Sequence, residues 1–312
     1  MQQAQPARTI ESLEPVFARR QRGLWSDAFW RLSRNRLALA ALAILLVIAV
    51  TTVLANSVDT VQRYEPRQQL LTERHEAPSL DHFFGTDNLG RDIWARVLQG
   101  VWISLQVGIG VQIVALAIGI FVGATAALGG RVMDNIMMRI TDLAYAFPDL
   151  LFIILLRAAL EGKRDWPIIG DPVVQMIIAI SFVGWVTIAR LVRGQMLSLN
   201  ETDFVTAARS IGASPWRVVF QHMLPNTLGP VIVAVVFGIP LAIFAEAALG
   251  FVGIGVPPPT ASLGVLISDG YDFIQLNRWM IIFPASAMAI LMLSFTFLGD
   301  GLRDALDPRT RQ

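Results

Sequence analysis

The sequence predicts an all-α integral membrane protein with six transmembrane helices. Of its 312 residues, 54% are hydrophobic and only 16% are charged, whereas soluble domains carry about 25% charged residues. Six apolar runs approach the length of about 20 residues that a helix needs to cross a bilayer. Arginines collect in alternate segments between these runs, and basic residues mark the cytoplasmic side of a membrane protein. The absence of cysteine excludes disulfides and thiolate chemistry.

The N-terminal region is predicted to be a cytoplasmic segment, residues 1–36, followed by a first transmembrane helix over residues 37–55. Seven arginines precede that helix, which places the N-terminus in the cytoplasm. A cleaved signal peptide is the competing interpretation. We reject it because the polar leader is too long and the apolar run exceeds the about 7–15 residues of a signal peptide core.

Residues 56–100 are predicted to form an extracytoplasmic segment that carries a surface helix. Thr86 or Asp87 can cap this helix by accepting a backbone hydrogen bond, and the helix would run to about Gln99. Its apolar side, which includes Ile93, would rest on the membrane surface. We therefore expect a helix that lies on the outer leaflet and precedes the second span.

The remaining spans form the predicted core of the transmembrane domain. In the second span, Gly119 and Gly123 make a small-residue face suited to close packing within the subunit. In the third span, Asp142 is expected near the inner interface, paired with Arg139. Six spans place both termini in the cytoplasm. The predicted spans are 101–128, 140–160, 173–191, 227–254 and 279–298, within a core of 101–299 that is followed by a cytoplasmic tail, 300–312.

The fifth span contains the residues best suited to line a translocation path. Gly229-Pro230 and Gly238-Ile239-Pro240 interrupt it, and such breaks are tolerated where a helix lines a cavity or is buried in protein. Glu246 lies in its outer half, where an ionisable residue suggests function. A carboxylate that is hydrogen-bonded to a neighbouring helix or loop explains Glu246 equally well. The candidates for the path are Gly238, Pro240 and Glu246.

Residues 200–226 form an amphipathic insert between the fourth and fifth spans and predict two short helices joined by a glycine elbow. Thr202 or Asp203 can cap the first helix. Gly212 is suited to the positive φ that ends many helices. Ser214-Pro215 restarts a helix, with serine as the cap and proline at the first helical position. Each helix is too short to span a bilayer.

Each of these two helices has an apolar side. The first presents one face at helical spacing, and the second is expected to end at Leu224-Pro225. The local pattern fits equally an interfacial loop that packs only on its own chain. The apolar residues are Phe204, Ala207, Ala208 and Ile211 in the first helix and Trp216, Val219, Phe220 and Met223 in the second.

The spacing of Ala207-Ala208, Gly212 and Leu224-Pro225 resembles the EAA signature of bacterial ABC importer permeases. Thr206 stands in place of the usual glutamate, and His222 in place of a hydrophobic residue. The resemblance implies a type I importer (MetI-like) transmembrane domain with cytoplasmic coupling helices that dock on an ATPase. Charge at Ala208 or Gly212 is then expected to uncouple ATP hydrolysis from transport while leaving membrane insertion intact. The implied coupling residues are Thr206, Ala207, Ala208, Gly212, Trp216, Leu224 and Pro225.

A second string, residues 85–92, resembles the G-T-D-x-L-G-R-D motif of the C-type permeases among the peptide/nickel importers. This resemblance implies a subunit that forms half of a translocation path for di- or oligopeptides. Nickel chelates or glutathione-like solutes are the alternative cargo. The implied partners are a B-type permease, two ATP-binding cassette ATPase subunits and an extracytoplasmic substrate-binding protein. The implied location is the plasma membrane of a bacterium or archaeon.

Other classes of function lack their motifs. No G-x-x-x-x-G-K-[ST] loop is present, so ATP must be hydrolysed by separate subunits. The three histidines are scattered on opposite predicted sides of the membrane, and we expect no metal site, catalytic residue, cofactor or nucleic-acid partner. An ion-coupled secondary transporter is the second hypothesis, but it needs buried carboxylates and internal repeats, and Glu246 alone is a candidate. An intramembrane enzyme, the third hypothesis, lacks a recognisable catalytic pair.

Overall fold

The structure, a computed structural model, describes residues 24–163 and 165–307. The first 23 residues of the predicted cytoplasmic segment and the last five of the predicted tail lie outside this range. The regular elements within it are helices. They are α1 (Leu24–Leu32), α2 (Arg36–Ser57), α3 (Asp59–Gln62), α4 (Ile93–Leu128), α5 (Gly130–Ala146), α6 (Asp149–Glu161), α7 (Pro172–Asn200), α8 (Asp203–Ser210), α9 (Pro215–Arg217), a π-helical turn (Val218–Met223), α10 (Leu224–Phe251), α11 (Leu263–Asp272) and α12 (Trp279–Leu306).

The described residues contain five helices that are long and apolar enough to cross a membrane, or six spans if one bent pair is counted. The five are α2, α4, α7, the continuous helix from Pro215 to Phe251, and α12. The bent pair is α5 and α6. The helical membrane fold predicted from composition and apolar runs is therefore confirmed.

Helices α4 and α7 pack closely along their length at the centre of the bundle. A Cβ added to Gly119 would lie 2.7 Å from the side chain of Ile188, and one added to Gly123 would lie 2.5 Å from the carbonyl oxygen of Ala189. These glycines let the two backbones approach. The predicted use of this face, tight packing within the subunit, is confirmed.

The second span begins earlier than predicted, because the expected surface helix is its first part. The helix is capped by Asp92, whose Oδ1 accepts a hydrogen bond from the Ala95 amide at 2.7 Å, and not by Thr86 or Asp87. It continues through Gly100 without a break. A Cβ at Gly100 would lie 3.1 Å from the backbone nitrogen of Leu263. The glycine there serves close packing and does not end a helix.

The third span is not one helix. Helices α5 and α6 meet at an angle of 89° at Phe147-Pro148, and Phe147 is extended, with φ −82° and ψ 142°. Proline disfavours helical geometry in the residue before it and cannot donate a backbone hydrogen bond. Residues 129–139, which lie between the predicted second and third spans, are largely the first part of α5.

The fifth span shows the opposite difference, because the predicted breaks do not interrupt it. The helix that starts at Pro215 passes through Leu224-Pro225 by way of the π-helical turn and continues to Phe251. Pro230 and Pro240 lie inside α10. A π-helical turn shifts the backbone hydrogen-bonding register, which accommodates the proline nitrogen that lacks a hydrogen. The second helix of the insert is therefore continuous with the fifth span.

Ion pairs between α5 and α7 also differ from the prediction. Asp142 binds Arg190, with Oδ1 and Nη2 2.7 Å apart, and not Arg139. Arg193 pairs with Asp134 on the same two helices. The partner of Asp142 is 48 residues away in the sequence, so local spacing could not reveal it.

Candidate functional site

The insert between α7 and α10 has the elbow that the sequence predicts. Gly212 has φ +85°, and the amide of Ala213 donates to the carbonyl of Ala208 at 3.1 Å, which closes the end of α8. Ser214 caps α9 by accepting from the Arg217 amide at 3.4 Å, with Pro215 in the first turn. Thr202 occupies the cap position of α8 without a side-chain capping bond.

One side of the insert is embedded in the core of the chain itself. Val205 of α8 is buried, and so are Val219 and Met223 of the π-helical turn. They pack in one cluster with Val192 and Met196 of α7. The insert is therefore anchored by apolar packing to the transmembrane helix that precedes it.

The opposite side of the insert carries large apolar side chains exposed to solvent. Ile211 is 87% exposed, Trp216 is 70% exposed and Phe220 is 61% exposed. The rings of Trp216 and Phe220 stack with centroids 5.8 Å apart, and Phe204 is exposed as well. Exposed apolar patches are typical of surfaces that contact another protein or the membrane. We name Phe204, Ile211, Trp216 and Phe220 the coupling patch.

The predicted coupling residues divide between these two sides. Ala208 is buried, so a charge placed there would first disturb the packing of the insert. Thr206 and Ala207 are exposed on α8, and the Thr206 hydroxyl donates to the Thr202 carbonyl at 3.3 Å. Pro225 is exposed, while Leu224 is partly buried. The sequence predicts that the apolar residues of α8 share one face. In the structure Ala208 instead packs in the core of the chain.

Two of the three candidates for the translocation path, Gly238 and Glu246, contact α4. A Cβ on Gly238 would lie 2.4 Å from Oε1 of Gln112, and Pro240 is buried. Glu246 is fully buried, and the Ser104 hydroxyl donates to its Oε2 at 3.0 Å. This is the hydrogen-bonded arrangement that the sequence left open as an alternative. A role of these residues in the path stays a prediction.

The motif at residues 85–92 builds a polar network whose centre, Asp87, is 1% exposed. Its carboxylate accepts hydrogen bonds from the amides of Leu89 and Arg91, from Nε of Arg91 and from Nη1 of Arg96, at 2.6–2.9 Å. Nη2 of Arg96 also donates a hydrogen bond to Oδ2 of Asp269 in α11, at 3.3 Å. The network therefore fixes the segment before α4 to α11, a contact that the sequence did not indicate.

His82 is buried between two carboxylates in the same region. Nδ1 lies 2.8 Å from Oδ2 of Asp92 and Nε2 lies 3.2 Å from Oε2 of Glu73, while the ring stacks on Tyr64. A protonated imidazole can donate a hydrogen bond from each ring nitrogen, so this arrangement favours the charged form of His82. Burial alone lowers the pKa of His82, but the hydrogen bonds to Asp92 and Glu73 and their charges raise the pKa above its usual value.

We expect the segment around His82 to lose stability as the pH rises. A pKa that is higher in the folded state than about 6.5, the unfolded value, adds stability that is complete below about pH 6.5. That stability is lost as the pH rises through the folded pKa. Hydrogen exchange of residues 73–92, corrected for intrinsic rates, should show weaker protection at alkaline pH. His82→Gln should remove this dependence, and protection in the wild type that is constant or rises with pH would contradict it.

Arg157 is a buried charge that sequence reasoning did not single out. It lies in α6 and is 4% exposed. Its Nη1 donates to Oε1 of Gln175 at 2.6 Å, and Nε2 of Gln175 donates to the carbonyl of Leu160 at 2.9 Å. An arginine inside an apolar run suggests a functional role, so Arg157 could have been identified as a candidate from the sequence alone.

A metal site is not apparent in the described ranges, 24–163 and 165–307. No group of three or more His, Cys, Asp or Glu side chains there could hold a metal ion.

Comparison with known families gives the class of the protein, the multi-pass permeases of binding-protein-dependent transport. The family model for the binding-protein-dependent transport system inner membrane component matches residues 115–312, and that for the N-terminal transmembrane domain of oligopeptide transport permease C matches residues 23–78. The chain belongs to this family of ABC importer permeases.

The relatives and the solved structures agree with this membership. The oligopeptide permease OppC of Bacillus subtilis is 39% identical over 93% of this chain and 91% of its own length. The dipeptide permease DppC of the same organism is 40% identical over 92% and 86%, and OppC of Escherichia coli K12 is 36% identical over 97% of both chains. The inward-facing MetNI methionine ABC transporter shares the fold, with a TM-score of 0.55 and 20% identity over 68% of this chain and 96% of that chain.

Proposed function

We propose that this permease forms half of the path for di- or oligopeptides in an ATP-driven importer, with a B-type permease as the other half. Two ATPase subunits and an extracytoplasmic binding protein complete the assembly. The observation that carries the proposal is the coupling patch, an exposed apolar surface on an insert whose other side is buried in the chain's own core. The peptide cargo is supported by the relatives' names.

The mechanism that fits this geometry is alternating access. An ATPase subunit binds the coupling patch, and ATP-driven closure of the two ATPase subunits displaces the insert. Because α9, the π-helical turn and α10 form one continuous helix, the displacement is carried directly into the fifth span. The opposite end of the bundle then opens to receive cargo from the binding protein, with both chain termini on the cytoplasmic side.

Thr206 is placed to contact the ATPase in this arrangement without the charge of the usual glutamate. Its side chain is exposed beside Ala207. Thr206 therefore contributes no ion pair to this surface, and its own contribution to the affinity should depend only weakly on salt, since salt screens ion pairs and not apolar contacts.

The test is uptake by the full assembly in liposomes, with ATP enclosed and the binding protein outside. Labelled trialanine should accumulate with ATP and not with a non-hydrolysable analogue, and proton or sodium ionophores should not prevent it. A nickel chelate or glutathione offered in the same assay distinguishes the alternative cargoes. Uptake that needs no ATP and is abolished by ionophores would contradict the proposal and favour an ion-coupled transporter.

A further inference from the structure

Asp149 is a carboxylate in a membrane span that lacks a partner within the described part of the chain. It stands at the start of α6, just after the bend at Phe147-Pro148, and its side chain is exposed. Its carboxylate forms no hydrogen bond and no ion pair with any described residue. An ionisable residue inside a membrane span is costly in lipid, and it usually faces a water-filled cavity or a partner. Asp149 therefore needs water or a partner from outside the described ranges.

The depth of Asp149 in the membrane follows from the contacts that its neighbours make with α7. Phe152 stacks on Phe182, with ring centroids 4.6 Å apart, and Asp142 pairs with Arg190. Asp149 lies between these two contacts along the chain, so we place it at a depth between them. The stretch of α7 between Phe182 and Arg190 carries no charge, and α7 is apolar enough to cross a membrane. The carboxylate therefore lies within the apolar depth of the bilayer.

The main chain at the bend also requires water or protein around it. Phe152 is the first residue of α6 whose amide donates to a carbonyl, that of Pro148 at 3.0 Å, and no side chain caps the start of the helix. The amides before it in α6 have no partner among the described residues. Lipid cannot satisfy such groups, and irregular backbone at membrane depth occurs where it is buried in protein or lines a water-filled cavity. The bend and Asp149 therefore indicate the same environment.

Of these two environments, water fits the bend better than a protein contact. Residues 145–150 are all exposed, so the described part of the chain does not cover the bend. A protein contact would bury the carboxylate of Asp149, and a buried charge without a partner is strongly destabilising. Water satisfies the carboxylate and the open amides together. A permease that passes a polar solute contains such water in its path.

We propose that Asp149 and the bend line the water-filled path and that the Asp149 carboxylate attracts the ammonium terminus of the passing peptide. The inference rests on the proposed peptide function and adds a residue of α6 to the path candidates on α10. Most α-amino groups are protonated at neutral pH, so every unblocked peptide offers this charge, whatever its side chains. An ion pair in contact with water is weak. Asp149 therefore guides the cargo and does not retain it.

The first test measures whether water reaches the position of Asp149. The chain contains no cysteine, so a single introduced thiol can be labelled selectively. Asp149→Cys, in the full assembly in liposomes, should react with trimethylammonioethyl methanethiosulfonate, a cation that does not enter lipid, and mass spectrometry of this chain measures the product. The matched control is Val47→Cys, because Val47 is 65% exposed in the middle of α2. It should react at least about tenfold more slowly, since the thiolate is the reactive form and apolar surroundings suppress it.

The second test measures the charge of Asp149 itself and does not depend on the cargo. Ala146→Cys places a thiol on an exposed neighbour and keeps Asp149. Its rate with the cationic reagent is divided by its rate with sulfonatoethyl methanethiosulfonate, an anion. This ratio should fall about fivefold when Asp149→Asn is added, since one charge acts on the two reagents in opposite directions. Adding Asp81→Asn, at an exposed aspartate before α4, should leave the ratio unchanged.

The third test is ATP-driven uptake of trialanine by the full assembly with its binding protein. Asp149→Asn should lower the rate of uptake about threefold, the effect of losing an ion pair in contact with water. Asp149→Glu keeps the charge and should transport at close to the wild-type rate. Asp81→Asn is the control here too and should transport like the wild type. A role of Asp149 only in the stability of α6 would change the thermal midpoint and not the reagent ratio.

Four results would overturn the inference. They are Asp149→Cys that reacts no faster than Val47→Cys, a reagent ratio that Asp149→Asn does not change, uptake that Asp149→Asn does not change, and loss of the second permease from the purified Asp149→Asn assembly. The last result would place Asp149 in a contact between subunits. If the wild type still takes up trialanine with ATP, these results leave the proposed function standing. Failure of ATP-driven uptake by the wild type would remove the function itself.

Discussion

Trp216→Ala is expected to weaken binding of the ATPase subunit to the permease by at least about 2 kcal/mol, or about 30-fold. Trp216 is the largest side chain of the coupling patch, and its ring stacks on Phe220. Tryptophan residues at the centre of an interface contribute most of the binding energy in many complexes. The affinity should be measured with both permeases in lipid nanodiscs, and ATP-driven uptake should fall in parallel.

The matched control is Trp166→Ala, which removes an exposed tryptophan from the loop between α6 and α7. That loop lies at the other end of the bundle, so ATPase affinity should be unchanged. Because Trp216 is exposed, its replacement should not lower the thermal stability of the permease alone. Unchanged ATPase affinity in Trp216→Ala would contradict the assignment of the coupling patch.

Asp87→Ala is expected to destabilise the segment before α4 by about 3–5 kcal/mol, the usual cost of leaving a buried charge without its partner. The substitution removes the acceptor of four hydrogen bonds and leaves Arg96, which is buried, with Asp269 as its remaining acid. Amides of residues 85–92 should lose most of their protection in hydrogen exchange. The thermal midpoint of the permease in detergent should fall as well.

Asp81→Ala is the control for this substitution, since Asp81 is an exposed aspartate in the same segment. Its replacement should change stability by less than about 0.5 kcal/mol, as surface substitutions usually do. Asp87→Asn keeps the shape and part of the acceptor capacity, and its effect should lie between the two. If Asp87→Ala and Asp81→Ala were equally mild, the network would not hold the segment in place.

The sequence predicted the parts of the fold that depend on local chemistry. A helix crosses the bilayer when it is apolar over about 20 residues, so the spans could be predicted from composition and length. The elbow of the insert followed from Gly212 and Ser214-Pro215, because a positive φ and a helix cap are requirements of single residues. These features do not depend on which helices become neighbours.

The errors concern features that depend on tertiary contacts. The surface helix was expected to end near Gln99, but it continues through Gly100, which packs against Leu263, a residue far away in the sequence. Pro225 resembled a stop, yet the π-helical turn before it lets the helix continue. The sequence predicted only part of the coupling patch, because it does not show that Ala208 is buried in the core while Ile211 is exposed. In each case the outcome depends on which residues are buried, and this is determined by the packing of the whole helix bundle.

The most direct measurement of the central claim is co-purification of this chain from its native membrane, with identification of the bound subunits. The account predicts a stoichiometric assembly with a second permease and ATP-binding cassette ATPase subunits. Trp216→Ala, expressed at the same level, should retain the second permease and lose the ATPase subunits. Recovery of the wild-type chain alone, as a homo-oligomer that transports without ATP, would contradict the account.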